Sequence, residues 1–475
     1  MIVTMIALFW FPITRTLANV EVNYNEGWNA YRANMAANRI PLYGAPPSGF
    51  ESWTSYPPIS FHLISMLGTA NTFLLVGRVI SLISLFATGI FVALVVRQGG
   101  GSQQAAVFSF LLYEIGIALL KANRIGMNDP QLLGEALSTA GLYFYVRNPA
   151  SRRLLCLSAL LLCLAGFTKQ NVIAFPAAVG IDLLFRSRKA FAMWCGAMLL
   201  FGGGLLGVTF LVDGRYFLVH LMTRRPYSYA QAWSQFHAYL SHFQGVLLIG
   251  TAWSIYAFRT HRVFRLAFIL SHSLAFLLAG GLGVDLNIFF NAFAATVITC
   301  GLALSDITSS ILASRPGALN APGSMMFALF FISVMMYVPG QMRRDLKEIR
   351  DLPVSEREFD NAVEFLKSRP GPALCESLLL CYEASKPLEY DAFDVSVKLM
   401  TGKLHEDDTV PLLRTHHFQT IEITLIDESS LGDPDLRALF GSGPRGRFTL
   451  NFMKELLRDY QLSMRNSQMA IFTPN

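Results

Sequence analysis

Long apolar runs recur along the first 340 positions, separated by short polar stretches. Most are roughly 15 to 24 residues long, close to the ~20 apolar residues that a helix needs to cross a bilayer. They predict eleven membrane-spanning helices, at 2–18, 73–96, 104–121, 131–147, 154–168, 172–185, 190–212, 241–258, 266–283, 287–304 and 324–340. The run 59–70 is too short to span and follows Pro57-Pro58, so it predicts an interfacial or re-entrant helix. The pattern is that of an α-helical polytopic membrane protein.

The pattern changes near Gly340. Segment 341–475 has no long apolar run and instead alternates short β-rich stretches, such as 418–426, with charged helical ones, such as 356–367. Of the 32 Asp and Glu residues, 22 lie after residue 340. We therefore expect two domains: a multispan domain over 1–340 with a large first outside loop at 19–58, and a soluble α/β domain over 341–475.

The composition supports a membrane protein. The chain has 475 residues, of which 53% are hydrophobic and 15% charged, and its mean hydropathy is +0.42. Soluble globular proteins average about 25% charged residues. The net charge of +6 requires no nucleic acid as a partner, because Lys and Arg concentrate in the cytoplasmic loops of polytopic membrane proteins.

The basic residues also predict an orientation. If the N-terminus is cytoplasmic, the inside loops hold Arg97, Arg147, Arg152, Arg153, Arg186, Arg188, Lys189, Arg259, Arg262, Arg265 and Arg315. This positive-inside pattern predicts a multi-pass membrane protein with its N-terminus in the cytoplasm and its C-terminal domain outside. Cys375 and Cys381 would then lie in an oxidising compartment, where they can pair or remain buried thiols.

Two carboxylates, Glu26 and Asp129, stand at the outer ends of apolar segments. An ionisable residue at a membrane segment is a functional hypothesis by default, since its charge is costly there. A carboxylate can accept the proton of an attacking hydroxyl, so both are candidate catalytic residues. The alternatives are structural: Glu26 can solvate a helix end, and Asn128-Asp129-Pro130 has the pattern of a helix cap.

Cations and aromatic residues share the predicted outside face. Arg and Lys can hold a phosphate through charge-assisted hydrogen bonds, which makes candidates of Arg78, Arg124, Lys169, Arg224 and Arg225. Candidates for the wall of a sugar site are Trp28, Tyr31 and Tyr56. The alternatives are that Arg78 snorkels, that Lys169 is a loop charge, and that Arg224 and Arg225 only touch lipid headgroups.

Several motifs in the first 130 residues resemble those of the GT-C glycosyltransferases. They are Asn25-Glu26-Gly27-Trp28-Asn29-Ala30-Tyr31, Pro41-Leu42-Tyr43, Tyr56-Pro57-Pro58 and Gly77-Arg78, followed by Arg124 and Asp129. That superfamily comprises multispan enzymes using polyprenyl-phosphate sugars, including protein O-mannosyltransferases and the transferases that add aminoarabinose to lipid A. The resemblance implies that Glu26 activates or positions the acceptor, and that Asp129 supports the site or helps to hold a divalent cation. Asn25-Glu26 departs from the usual first-loop Asp or acidic pair, which leaves the cofactor open.

Together with the resemblance, these features predict a membrane glycosyltransferase of the bacterial inner membrane. It would transfer a sugar from a polyprenyl-phosphate-linked donor to a hydroxyl acceptor at the extracytoplasmic face, with membrane lipids as its other partners. Two alternatives stay open: a lipid or solute transporter, and a non-catalytic membrane subunit of a polysaccharide assembly complex. The sugar and the acceptor are not specified by the sequence.

Overall fold

The computed structural model describes residues 1–257, 261–314, 334–425 and 447–475. Residues 1–257 and 261–314 form helices joined by loops, with 3-10 turns at Ala122–Arg124 and Leu286–Phe289. The helices are α1 Ile2–Thr16, α2 Asn25–Ala37, α3 Ile59–Leu67, α4 Phe73–Gln98, α5 Gln103–Lys121, α6 Gln131–Arg147, α7 Arg152–Gly166, α8 Ala174–Arg186, α9 Arg188–Val212, α10 Phe217–Leu221, α11 Tyr229–Tyr256, α12 Arg262–Ala279 and α13 Phe290–Ser314.

Five helical segments in the described part of the chain are long and apolar enough to cross a membrane. They are Phe73–Gln98, Gln103–Arg124, Arg188–Val212, Arg262–Ala279 and Leu286–Ile307. Four other predicted spans coincide with α1, α6, α7 and α8, and the span 241–258 falls largely within α11. The span 324–340 lies mostly outside the described residues. The polytopic helical class is confirmed, while the count of eleven spans stays a prediction.

The C-terminal part contains a small four-stranded sheet among helices. Its helices are α14 Val338–Lys367, α15 Leu378–Glu383, α16 Ala392–Met400, α17 Glu406–Arg414 and α18 Leu450–Asp459; its strands are β1 Ala373–Cys375, β2 Thr420–Thr424, β3 Tyr460–Arg465 and β4 Met469–Pro474. The strand order is β1-β2-β4-β3, with β1 and β2 parallel and β4 antiparallel to both of its neighbours. The predicted boundary at residue 340 falls inside α14, and the division into two domains stays a prediction.

The C-terminal part docks directly on α2. A Cβ atom at Gly27 would collide with the backbone of Leu379, so glycine permits the close approach of α15 to α2. The Tyr31 hydroxyl donates to the carbonyl oxygen of Lys386 at 2.7 Å. A disulfide joins Cys375 to Cys381 and links β1 to α15. Of the two states that the sequence left open, a disulfide or two buried thiols, the structure has the disulfide.

Two glutamates lie at this junction, Glu422 fully buried and Glu21 partly buried. An oxygen of Glu21 accepts a hydrogen bond from the amide of Leu379 at 3.0 Å, and one of Glu422 accepts from the amide of Ser377 at 2.8 Å. Burial raises the pKa of Glu21 to about 7. Burial, reinforced by the neighbouring Glu376, raises the pKa of Glu422 to about 8. Both side chains therefore favour the protonated form in the folded protein.

We expect the stability of this junction to fall as the pH rises. A carboxyl group with a raised folded-state pKa contributes stability that is present below its unfolded pKa, near 4.5, and that is lost as pH rises towards about 8. The midpoint of thermal unfolding in detergent should be lower at about pH 8 than at about pH 5, and Glu422→Gln should reduce this difference. Glu364→Gln, at an exposed position paired with Lys367, is the control; an unchanged pH dependence in Glu422→Gln would contradict the assignment.

Candidate functional site

A cavity of about 400 Å³ lies where the first loop meets α16 and the loops following α5, α7, α10 and α12. Its volume is in the range of small-molecule sites. Polar and charged residues of its wall include Asn25, Ser55, Tyr56, Arg124, Gln131, Lys169, Gln170, Asn171, His220, Thr223, Arg225, Asp285, Asn287 and Asp394. We call it the main cavity. Four residues predicted from the sequence, Tyr56, Arg124, Lys169 and Arg225, line it.

Asp129 lies beside the cations of the main cavity. Its Oδ1 accepts a hydrogen bond from the amide of Gln131 at 2.8 Å, at the start of α6. The same oxygen is 3.5 Å from the Lys169 ammonium, and Oδ2 is 3.6 Å from Nη1 of Arg124. Asp129 therefore accepts a hydrogen bond from the first residue of α6 and pairs with two cavity cations, while its catalytic role stays a prediction.

The Lys169 ammonium is only partly satisfied by its neighbours. Its ammonium lies 3.4 Å from the centroid of the Tyr56 ring, a cation–π contact. Its ion pair with Asp129, at 3.5 Å, is long for a hydrogen bond, and the side chain is only 8% exposed. An ammonium has three N–H donors. Among the described residues these are its contacts, so the group can still donate to a ligand oxygen.

Arg124 is held from both sides. Nη2 lies 2.9 Å from an oxygen of Asp285, and Asp285 also pairs with Lys121 at 3.1 Å. Although burial opposes it, the charges of Arg124 and Lys121 hold the pKa of Asp285 below its usual value. Lys121, Arg124 and Lys169 thus share two carboxylates, and Arg225 and Asp394 add one charge of each sign to the wall, so that four cations face three carboxylates. The excess positive charge favours an anionic ligand.

Glu26 lies in a closed ion pair with Arg78. Its Oε1 accepts from Nε of Arg78 at 2.7 Å and from the amide of Asn128 at 3.0 Å. Its Oε2 accepts from Nη2 of Arg78 at 2.6 Å and from the amide of Val22 at 2.8 Å. The carboxylate is 0% exposed. Neither carboxylate oxygen is accessible. The geometry therefore favours a structural role for Glu26 over the catalytic role predicted from the sequence.

Arg78 is equally occupied. Besides its two bonds to Glu26, it donates from Nη1 to the carbonyl oxygens of Arg15 and Ala18, and from Nη2 to that of Val20. A guanidinium has five N–H donors, and all five are used. The predicted contact of Arg78 with a lipid phosphate is therefore not supported, because the phosphate would have to displace buried bonds. Snorkelling, the other interpretation, does not apply to a side chain that is 1% exposed.

The ion pair also positions the loop that carries Asp129. A Cβ atom at Gly77 of α4 would collide with the Asn128 side chain, so glycine lets the loop approach α4 closely. Asn128 donates its amide to Glu26, and its carbonyl oxygen accepts from the Asn29 side chain at 2.7 Å. Asp129 follows in the chain and faces Arg124 and Lys169.

The remaining predicted residues lie outside the main cavity. The indole of Trp28 donates to Oγ of Ser52 at 2.7 Å and packs against the Tyr56 ring, so Trp28 supports the wall from behind. Tyr31 lines a second cavity, of about 640 Å³. Arg224 is exposed, whereas its neighbour Arg225 lines the main cavity.

Sequence reasoning missed two acidic residues of the wall. Asp285 lies in the short turn after α12, and Asp394 lies in the first turn of α16. The position of Asp285 between two apolar spans is a signal from which it could have been predicted as a candidate site residue. For Asp394 the only local signal is Asp391, whose side chain caps α16 by accepting from the amides of Phe393 and Asp394, and a cap alone does not indicate a site.

The surroundings of Asp129 do not fit a divalent cation. Its carboxylate faces two positively charged side chains, and hard cations take several oxygen ligands instead. Among the residues that the structure describes, no group of three or more His, Cys, Asp or Glu side chains is arranged to hold a metal ion.

Breaking the Glu26–Arg78 pair on one side should be costly. Arg78→Met would leave the Glu26 carboxylate buried without its counter-charge, a change worth about 3–5 kcal/mol of stability. The double variant Glu26→Gln/Arg78→Met should recover part of this loss. Thermal unfolding of the single and double variants in detergent measures both effects, and purely additive losses would contradict the coupling.

No family model matches this sequence, and no curated protein is significantly similar to it. Solved structures do match. ArnT from Cupriavidus metallidurans in its apo state gives a TM-score of 0.59 at 13% identity, covering 99% of this chain and 97% of ArnT.

The oligosaccharyltransferase of Archaeoglobus fulgidus, in complex with Zn and sulfate, gives a TM-score of 0.56 at 11% identity, covering 89% of this chain and 67% of that protein. The same enzyme, AglB, in complex with an inhibitory peptide and a dolichol-phosphate gives 0.52 at 12% identity, covering 89% and 68%. The chain therefore has the GT-C fold, which confirms the resemblance seen in its first 130 residues.

Proposed function

We propose that this protein is a membrane glycosyltransferase that transfers a sugar from a polyprenyl-phosphate-linked donor to a hydroxyl acceptor at the extracytoplasmic face. The observation that carries the proposal is the main cavity, where Arg124, Lys169 and Arg225 converge. The fold supports it, since a solved structure with this fold contains a dolichol-phosphate.

The donor phosphate would bind to the cavity cations. Lys169 has ammonium donors still available for a phosphate oxygen. Arg124 is oriented by Asp129 and Asp285, so little rotamer entropy remains to be lost when it binds a ligand. Arg225, whose guanidinium lies 5.7 Å from the Phe393 ring, adds a third cation. The polar wall around them, including Asn171 and Tyr56, is suited to a sugar.

The same cations would serve the reaction. The acceptor oxygen forms a bond to the anomeric carbon while the bond from that carbon to the phosphate oxygen breaks, and the electron pair of the broken bond passes to the phosphate. Positive groups already in place stabilise this developing charge without further reorganisation. The lipid phosphate leaves, and the hydroxyl proton passes to a base.

The two predicted carboxylates take different roles in this proposal. Asp129 supports the site by orienting Arg124 and Lys169. Glu26 acts indirectly, because together with Arg78 it holds the loop that carries Asp129. Neither needs to accept the acceptor proton, and this departs from the role that the resemblance implies for Glu26.

The extracytoplasmic placement has one structural support. The disulfide between Cys375 and Cys381 belongs in an oxidising compartment, since cytosolic thiols are kept reduced. With the C-terminal part outside, α16 and the main cavity would lie on the outer face of the membrane, where membrane lipids reach the site.

Donor consumption tests the proposed activity directly. The purified protein in lipid would be incubated with a panel of polyprenyl-phosphate sugars, and each donor measured by mass spectrometry. We expect one class to be consumed with release of polyprenyl phosphate. If the folded protein consumes none, the transporter or the non-catalytic subunit becomes the better description.

Arg224 and Arg225 form a matched pair for testing the phosphate site. They are adjacent and have the same charge, but only Arg225 lines the main cavity. Loss of a hydrogen bond to a charged group costs about 1.5–3 kcal/mol, so Arg225→Met and Lys169→Met should each weaken donor binding roughly 10- to 100-fold.

Arg224→Met is the control and should leave donor binding unchanged. Titration of each variant with the donor identified by the panel, followed by tryptophan fluorescence, measures the affinities. Equal losses in Arg224→Met and Arg225→Met would show that bulk charge near the membrane, rather than the cavity, attracts the donor.

A further inference from the structure

Helix α16 contributes a carboxylate to the main cavity. Asp394 and Val397, about one turn apart on α16, both line it. The cavity cations come from the N-terminal part of the chain, whereas α16 belongs to the part after residue 340. The main cavity is therefore completed by a segment far away in sequence.

One oxygen of Asp394 is fixed and the other is free. Oδ2 accepts a hydrogen bond from the amide of Trp53 at 2.5 Å and lies 3.2 Å from Oγ of Ser52, whose single proton is donated to the closer Asp391. Within the described parts of the chain, no residue donates a hydrogen bond to Oδ1. The residue is 8% exposed. The same cavity holds Lys169, which is equally buried and also has unused hydrogen-bonding capacity.

Several contacts hold α16 rigidly against the first loop. Asp391, which caps α16, accepts from Oγ of Ser52 at 2.6 Å. The Lys398 ammonium donates to the carbonyl oxygens of Gly49 and Glu51 at 2.5 and 2.9 Å. Trp28 donates to Ser52 from the other side. Asp394 is thus preorganised, as a catalytic group must be.

We propose that Asp394 is the catalytic base that deprotonates the acceptor hydroxyl. This inference rests on the proposed function and names the group that receives the proton. As the acceptor oxygen bonds to the anomeric carbon, its proton passes to Oδ1 of Asp394, and the electron pair of the breaking sugar–phosphate bond passes to the phosphate. The products are the glycosylated acceptor, the polyprenyl phosphate and a protonated Asp394, which then returns its proton to solvent.

The electrostatics of the site suit this role. Burial and the neighbouring Asp391 raise the pKa of Asp394 to about 7, against the lowering effects of the Trp53 amide, Arg225 and Lys398. A general base works best when its pKa lies near the working pH. By contrast, Asp285 has a lowered pKa because Arg124 and Lys121 surround it, so it is a weaker base within the same wall.

Comparing two acceptors tests the assignment in the full-length protein. Water, which hydrolyses the donor, must lose a proton as it attacks, whereas azide attacks without losing one. Asp394→Asn keeps an oxygen for the bond from the Trp53 amide but cannot accept the proton. It should lower the rate of donor hydrolysis about 10²- to 10⁴-fold, while transfer to azide and the Kd for the donor stay at wild-type values.

The controls separate this inference from the proposed function. Asp407→Asn, at an exposed position on α17, should behave as wild type, and Asp394→Ser replaces Asp394→Asn if the latter does not fold. Wild-type hydrolysis by Asp394→Asn, or equal losses with water and azide, would overturn the base assignment alone. If the wild-type protein consumes no polyprenyl-phosphate sugar, both proposals fall.

Discussion

The buried ion pair of Glu26 and Arg78 is the contact on which the rest of the site depends. It joins the start of α2 to α4, and through the carbonyl oxygens of Arg15, Ala18 and Val20 it fixes the chain that leaves α1. The attraction within a buried ion pair offsets its desolvation only if the remaining hydrogen-bonding groups are satisfied. In this pair, every donor of Arg78 and both oxygens of Glu26 have partners. The bond from the Asn128 amide extends this rigid unit to the loop of Asp129. Arg124 and Lys169, which pair with Asp129, are therefore held in place by it.

The sequence predicted the fold class well because its signals are local. Apolar run length identified most of the helices, and the first 130 residues carried the resemblance to a GT-C fold. The scarcity of acidic residues drew attention to Glu26 and Asp129, but scarcity does not distinguish a buried ion pair from a reactive carboxylate. That distinction depends on Arg78, 52 positions away in the chain, and on which oxygens remain accessible after packing.

The candidate site was predictable only in part. Residues beside apolar segments could be predicted, whereas a residue brought in from far away in the sequence could not. Tyr56, Arg124, Lys169 and Arg225 follow or precede apolar segments at the same predicted membrane face, so a topology argument brings them together. Arg224 fits that argument equally well, and only side-chain direction separates it from Arg225. Asp394 approaches the cavity through contacts of Ser52 and Trp53 that span more than 300 positions, and no local pattern encodes such a meeting.

The balance of satisfied and unsatisfied groups explains why a ligand belongs in this cavity. Arg78, Glu26 and Arg124 all have close charged partners, as buried ions require. Lys169 and Oδ1 of Asp394 belong to two buried residues of opposite charge on the wall of the main cavity, and neither group has a short hydrogen bond among the described residues. An anion beside Lys169 and a hydroxyl beside Asp394 would satisfy both. In the proposed reaction a phosphate-linked sugar and an alcohol acceptor supply these two groups, which supports the proposal of group transfer over transport.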